Sequence, residues 1–240
     1  HPDPSVKRQS GLLKPQLNNS NTLGNSLKIP YYKVLKENSD YTITPTIFDN
    51  NILMVENEYR YIDEFSNFEI NFGFVKGYEP STDTRKKNIN NIFANYYKNL
   101  NLKEFSSSDF HLAFEKVNND TFLKVFDQHI NDTDLKPNDQ NILESNLKFN
   151  FVNEEYSLDG GFTVYEDLEK NSSDRYQYVL PYFNFNKNIS ENFLKGNLNF
   201  SSSGENNLTN TSIKILDHNK KTINNNSSLN DKIKEIFGKN

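Results

Sequence analysis

Glu56 and Glu58 stand two residues apart, a spacing that puts both carboxylates on one face of an extended strand, about 7 Å from one another. Paired carboxylates can divide acid and base work. Alternating charge along a wet strand face produces the same spacing, and Arg60 continues it. His1, His111, His129 and His218 are too scattered for metal-ligand spacing. Gly160-Gly161 lacks the strand–loop–helix setting and the Lys-Ser/Thr of a phosphate loop, and Ser10-Gly11 is no nucleophile elbow. With Cys 0 there is neither a thiolate nucleophile nor a disulfide framework. These residues make no case for an enzyme and call for no cofactor or metal.

The elements that would carry them show period two. Tyr41, Ile43 and Ile47 point one way, with Thr42, Thr44 and Thr46 opposite. After the turn residues Asp49-Asn50-Asn51, Leu53, Val55, Tyr59 and Tyr61 oppose Glu56, Glu58 and Arg60. Phe68, Ile70, Phe72 and Phe74 then share a face against Glu69, Asn71, Gly73 and Val75. The pattern returns in Phe110–Phe114, and in Leu143–Phe151, where Glu144, Asn146 and Lys148 take the polar side. It continues through Tyr156–Val164, Tyr176–Tyr182 and Leu194–Phe200. The reading is an all-β, antiparallel up-and-down meander of about nine or ten strands. Two stretches fit a helix instead: Ile89, Ile92, Phe93, Tyr96, Tyr97 and Leu100 recur at three- and four-residue spacing, as do Leu229, Ile233, Ile236 and Phe237.

Composition narrows the setting. The 240 residues carry Lys+Arg 27 against Asp+Glu 32, a net charge of −5, which supplies no basic field for nucleic acid. Asn fills about one position in six, so Asn-x-Ser/Thr triplets arise by chance. His1 in place of Met predicts an internal segment of a longer protein. No stretch reaches the ~18 apolar residues of a membrane helix. A sheet with one greasy and one charged face has two homes: packed on a second layer in water, or as part of a barrel with lipid outside and a wet lumen inside. Strands of about 10 residues and aromatics at strand ends (Tyr59, Tyr61, Tyr176, Tyr178) shift the balance toward the barrel.

Several motifs add a resemblance. His1-Pro-Asp-Pro-Ser-Val-Lys-Arg-Gln-Ser-Gly-Leu-Leu-Lys-Pro15, Leu27-Lys-Ile-Pro-Tyr-Tyr32, Asp40-Tyr-Thr-Ile-Thr-Pro45 with Glu56-Asn-Glu-Tyr-Arg-Tyr61, and Phe114-Glu-Lys-Val-Asn-Asn-Asp-Thr-Phe122 occur in this order. Together they resemble the LPS-assembly outer-membrane protein family (LptD, also called OstA or Imp), in which the counterpart of Leu27–Tyr32 belongs to the second strand. The resemblance covers the first half of the chain and implies the N-terminal part of a large, incomplete outer-membrane β-barrel in a Gram-negative bacterium. Residues 1–15 would then form the junction and first strand. A periplasmic jelly-roll would lie before them and the closing strands after residue 240. The family places a strand over residues 88–102, which is taken here over the helical spacing.

The resemblance further implies lipopolysaccharide as substrate, delivered to the outer leaflet through the lumen and a lateral gate between the first and last strands. Its implied partners are an outer-membrane lipoprotein plug inside the barrel, a periplasmic LPS-bridge protein met through the jelly-roll, and outer-membrane lipid. Proline has no N–H for a ladder, and each lost bond removes about 0.5–1.5 kcal/mol. Pro4 and Pro15, bracketing the first strand at Val6–Lys14, are therefore the expected gate residues, unless they only punctuate a loop. Pro30 and Pro45 would mark bends. Lys7 and Arg8, beside that seam, would meet substrate phosphate, unless they are only solvated charges at the start of a strand. Glu56, Glu58, Arg60, Glu69, Asn71, Glu144 and Lys148 would face the lumen, and Phe68, Ile70, Phe72 and Phe74 would face lipid. A porin-like channel and a soluble β-sandwich binding module remain the alternatives.

Overall fold

Residues that alternate apolar and polar pair as strands because each backbone N–H and C=O then finds a neighbour while the side chains sort to two faces. A computed structural model describes residues 8–78, 88–131, 133–191, 196–209, 214–216 and 222–224. Nine long antiparallel strands carry the fold. They are β5 (Ser39–Phe48), β6 (Leu53–Ile62), β7 (Ser66–Lys76), β8 (Asn88–Asn99), β9 (Ser107–Val117), β10 (Ile142–Val152), β11 (Tyr156–Asp167), β12 (Tyr176–Glu191) and β13 (Gly196–Thr209). Each pairs with its neighbour in sequence, and the sheet does not close on itself. The expected meander is there, and its nine or ten strands correspond to these nine.

Four shorter strands bring that sheet to 13. They are β1 (Gly11–Leu12), β2 (Gln16–Ser20), β3 (Gly24–Lys28) and β4 (Tyr31–Lys36). Here the structure corrects two expectations. Of the expected first strand Val6–Lys14, residues 6 and 7 lie outside the described residues, and between residues 8 and 14 only Gly11 and Leu12 join a ladder, opposite Tyr32 and Tyr31. The motif Leu27–Tyr32 is not one strand but the junction of two, broken at Ile29-Pro30. β5 therefore changes partner along its length, from β4 (Tyr31↔Ile43) to β3 (Lys28↔Thr46). Pro45 sits at that change, where its carbonyl accepts the Ile29 N–H at 3.0 Å. A strand residue's N–H and C=O project to the same side, so the donor Pro45 lacks would have faced the break, where little ladder is lost.

Residues 88–99 form a strand in spite of their helical spacing. β8 pairs along its whole length with β7 (Phe72↔Ile92) and in part with β9 (Ala94↔Phe114). Two strand partners outweigh a local periodicity. The helix considered for Leu229–Phe237 falls outside the described residues. Two further short strands, β14 (Lys214–Leu216) and β15 (Thr222–Asn224), pair only with each other.

The two faces differ in what covers them. The connection from β9 to β10 carries the five-residue helix α1 (Phe122–Phe126) and lies on one face of the sheet. There Phe122, Leu123, Phe126, Ile130 and Leu135 join Leu23, Phe48, Met54, Val75, Ile89, Phe93 and Val117 in one buried cluster. This is the core of the described residues. Among the described residues no layer covers the opposite face.

Candidate functional site

Register sorts the polar residues into rows across the covered face. The row Thr46, Met54, Val75, Ile89 is followed by Thr44, Glu56, Gly73, Asn91. Next come Thr42, Glu58, Asn71, Phe93 and then Asp40, Arg60, Glu69, Asn95. Glu144 and Lys148 lie on the same face further along, where Lys148 pairs with His111 and Asn146 with Ala113. All seven residues expected on the polar side are thus on one face. They do not share one environment. Glu56 is 0% exposed, Asn71 1% and Glu58 8%, so part of this face is sealed beneath the β9–β10 connection. Arg60, Glu69, Glu144 and Lys148 are only part-covered or exposed.

Glu56 fits there because its neighbour is Gly73. A Cβ at Gly73 would stand 2.1 Å from Glu56 Oε1 and 2.5 Å from Asn91 Oδ1. The cover itself brings a histidine. His129 is 1% exposed and packs against the Phe48 ring at 4.8 Å. Neither of its ring nitrogens has a hydrogen-bond partner among the described residues. Burial, and then the nearby Lys28 charge, push its pKa below the usual imidazole value. Lys28 Nζ donates to the His129 carbonyl at 3.3 Å, tying the cover to β3. Sequence reasoning did not anticipate this cover. The signal for it was an apolar run, Phe122-Leu-Lys-Val-Phe126, inside a connecting segment.

On the bare face, Phe68, Ile70, Phe72 and Phe74 stand in the expected row. Phe72 is 41% and Phe74 44% exposed, as residues with nothing packed over them would be. Aromatic rings form two runs along this face toward the ends of the strands at the 63–65 and 153–155 turns. One passes through Tyr59, Phe68, Tyr96, Phe110 and Phe149 with centroid spacings of 6.1, 6.2, 6.0 and 5.5 Å. The other runs Phe151, Phe105, Tyr156, Phe185, Phe200 at 5.4, 6.1, 6.0 and 6.3 Å. The two span β6 to β13. At the opposite end, Lys116, Glu166, Arg175 and Asp120 form an ionic cluster joining the loops after β9 and β11.

At the leading edge Arg8 is engaged rather than free. It donates to the Tyr32 hydroxyl (2.7 and 2.9 Å) and the Glu37 carbonyl (3.2 Å), and pairs with Asp40. Asp40 also holds Arg60 Nε at 2.8 Å. Pro15 stands between β1 and β2, outside any ladder. Pro4 and Lys7 lie outside the described residues. No cluster of three His, Cys, Asp or Glu suited to a metal occurs among the described residues. No described helix is long and apolar enough to cross a membrane, which leaves strands open.

No family model matches the chain. Individual relatives do. The chain is 39% identical over 80 residues to the LPS-assembly protein LptD of Ectopseudomonas mendocina, which covers 33% of this chain and 8% of that protein. It is 30% identical over 120 residues to LptD of Idiomarina loihiensis, or 50% of this chain and 15% of that one. With LptD of Nitrosomonas europaea it shares 28% over 113 residues, 46% and 15% of the two chains. The similarity is to LPS-assembly proteins. It supports kinship with the LptD family across about half of the chain. The matched regions span only 8–15% of the length of these relatives.

Proposed function

We propose that this chain is the N-terminal part of a transmembrane β-barrel in the outer membrane, whose complete form delivers lipopolysaccharide to the outer leaflet. The observation that carries the membrane part of this reading is the two-faced sheet. Its bare face presents an aromatic-lined apolar surface along the middle of the strands, the mid-strand charges Glu56, Glu58, Arg60 and Glu69 lie on the covered face, and the bare-face charges Lys76, Lys116 and Glu166 stand at strand ends. A lipid-facing exterior and a polar lumen have that distribution. The similarity to LPS-assembly proteins carries the substrate. In this reading residues 1–15 are the junction with a preceding jelly-roll, and further strands complete the wall. Both outer strands of the described sheet would otherwise leave unpaired N–H and C=O groups in hydrocarbon.

Pro4 and Pro15 are then residues of the lateral gate. Lys7 and Arg8 are candidate contacts for substrate phosphate, and Arg8 must first exchange its present partners. The lipoprotein plug would meet the covered face around Glu69, Glu144 and Lys148, which the inward connection leaves accessible. The jelly-roll would meet the periplasmic bridge. The longest connections, after β9 (residues 118–141) and after β7 (residues 77–87), belong on the cell surface and the short turns toward the periplasm.

The test is depletion of the complete protein in its own host, with newly made LPS followed by labelling and surface accessibility. LPS should accumulate on the periplasmic side while other outer-membrane proteins still insert. Undiminished arrival of LPS at the surface would overturn the transport reading. Recovery of the full-length protein from the soluble fraction would overturn the membrane reading.

A further inference from the structure

The leading edge of the sheet is held by side chains more than by ladder bonds. β1 and β4 pair at two positions only, Gly11↔Tyr32 and Leu12↔Tyr31. Beyond these, the Leu13 N–H donates to the Pro30 carbonyl at 2.9 Å and the Val34 N–H to Ser10 Oγ at 2.9 Å. Arg8 adds its contacts to Tyr32, Glu37 and Asp40, reaching two elements from one side chain. The Tyr32 hydroxyl, which accepts from Arg8, donates in turn to Asp40 Oδ2 at 3.3 Å.

The two arginines on Asp40 are not equivalent. The Asp40 side chain is 7% exposed, and Arg60 reaches it from the neighbouring strand β6, within the continuous sheet. Arg8 comes from the segment that precedes β1, and its side chain is 37% exposed. Arg8 and Arg60 both line a cavity of about 830 Å³ that also touches Leu13 and Ile62. If Arg8 swings into that cavity, Asp40 keeps Arg60 and is not left as an unpaired buried charge, the outcome that makes breaking a buried pair expensive. Removing Arg60 would instead leave the leading segment as Asp40's remaining ionic partner.

We propose that Arg8 is a releasable latch: its fork on Asp40, Tyr32 and Glu37 holds the leading edge against β4 and β5, and Arg60 retains Asp40 when the latch opens. Arg8 is thus a positioning residue for the first strands. Its use in opening the wall rests on the barrel reading above, while the latch itself does not require that LPS be the cargo.

Hydrogen exchange on the complete protein in lipid nanodiscs tests this at two reporter amides, Leu13 and Val34. Arg8→Ala should speed their exchange about tenfold, the size expected for a part-exposed ion pair with its hydrogen bonds. Arg8→Lys, which keeps the charge without the fork, should fall between Arg8→Ala and the unaltered protein. Asp40→Asn, which leaves the Tyr32 and Glu37 contacts in place, should speed them less than Arg8→Ala, and Arg60→Ala should leave both amides protected. Tyr41 to Ile43 on β5 should stay protected in Arg8→Ala. The proposal is overturned if Arg60→Ala speeds the reporters as much as Arg8→Ala does, or if Arg8→Ala leaves them unchanged. It is equally overturned if the whole sheet loosens together, or if the reporters already exchange freely in the unaltered protein. This latch pattern in a protein that moves no LPS would sink the transport reading and keep the latch.

Discussion

Replacing Phe72 by Arg separates lipid from water as the medium on the bare face. Phe72 is near the middle of β7, and Phe68 lies four residues closer to the 63–65 turn, in an aromatic run. With about 3.4 Å per residue and a tilt of about 40°, Phe72 lies roughly 10 Å deeper than Phe68 along the membrane normal. Arg at a barrel midplane costs about 2–4 kcal/mol, falling to about 0–1 near the interface. Phe72→Arg should therefore destabilise the folded barrel by about 2–3 kcal/mol more than Phe68→Arg, or roughly 30- to 150-fold in the folding equilibrium. Phe72→Ser and Phe68→Ser, measured alongside, remove the contribution of the lost ring. The assay is a denaturant titration of the complete protein in vesicles of fixed thickness. In water both positions are half-exposed surface, where such changes fall within about 0.5 kcal/mol of one another. Equal costs at the two depths, after the serine correction, would refute the lipid-facing argument.

Three further outcomes follow from the covered face and the turns. Phe126→Ala removes a ring packed against Phe48, Phe122 and Tyr78. It should cost about 3–5 kcal/mol of local stability, seen as faster protease cleavage within residues 118–141 while β5–β8 stays resistant. Gly73→Ala should cost about 1–3 kcal/mol by overpacking against Glu56 and Asn91. Most of that should return in the Gly73→Ala, Glu56→Ala double variant, measured by thermal melting. Asp63 closes the β6–β7 turn by accepting from the Tyr61 hydroxyl, the Phe65 and Ser66 amides and the Ser66 hydroxyl. Those bonds, led by Tyr61, hold its pKa down to about 2. A depressed carboxylate stabilises the fold above its ordinary value and loses that contribution as the pH falls toward 2. The melting difference between the unaltered protein and Asp63→Ala should thus be full above about pH 4 and shrink steadily below it; a difference independent of pH would contradict the assignment.

Much of this protein is written in its alternation. The period of two in Phe68–Phe74 and Leu143–Phe151 is a property of the strand backbone, whose side chains must point to opposite faces. Meander, long strands, and the separation of Glu56, Glu58 and Arg60 from the phenylalanine row could all be read without coordinates. Turn chemistry at Asp49–Asn51 was legible for the same local reason. What covers a face is not local. Phe126 meets Phe48 across 78 positions of sequence (126 − 48), and no periodicity within one strand encodes such a contact. Only the tertiary structure therefore turned Glu56 from a wet-wall carboxylate into a buried one. The same holds where pairing overrules pattern: β8 is a strand because β7 and β9 supply its hydrogen bonds, and the Leu27–Tyr32 motif splits because β5 offers partners on both sides of Pro30. Arg8 looked like a free cation beside a seam, and it became a tether because Asp40 and Tyr32, both far along the chain, converge on it.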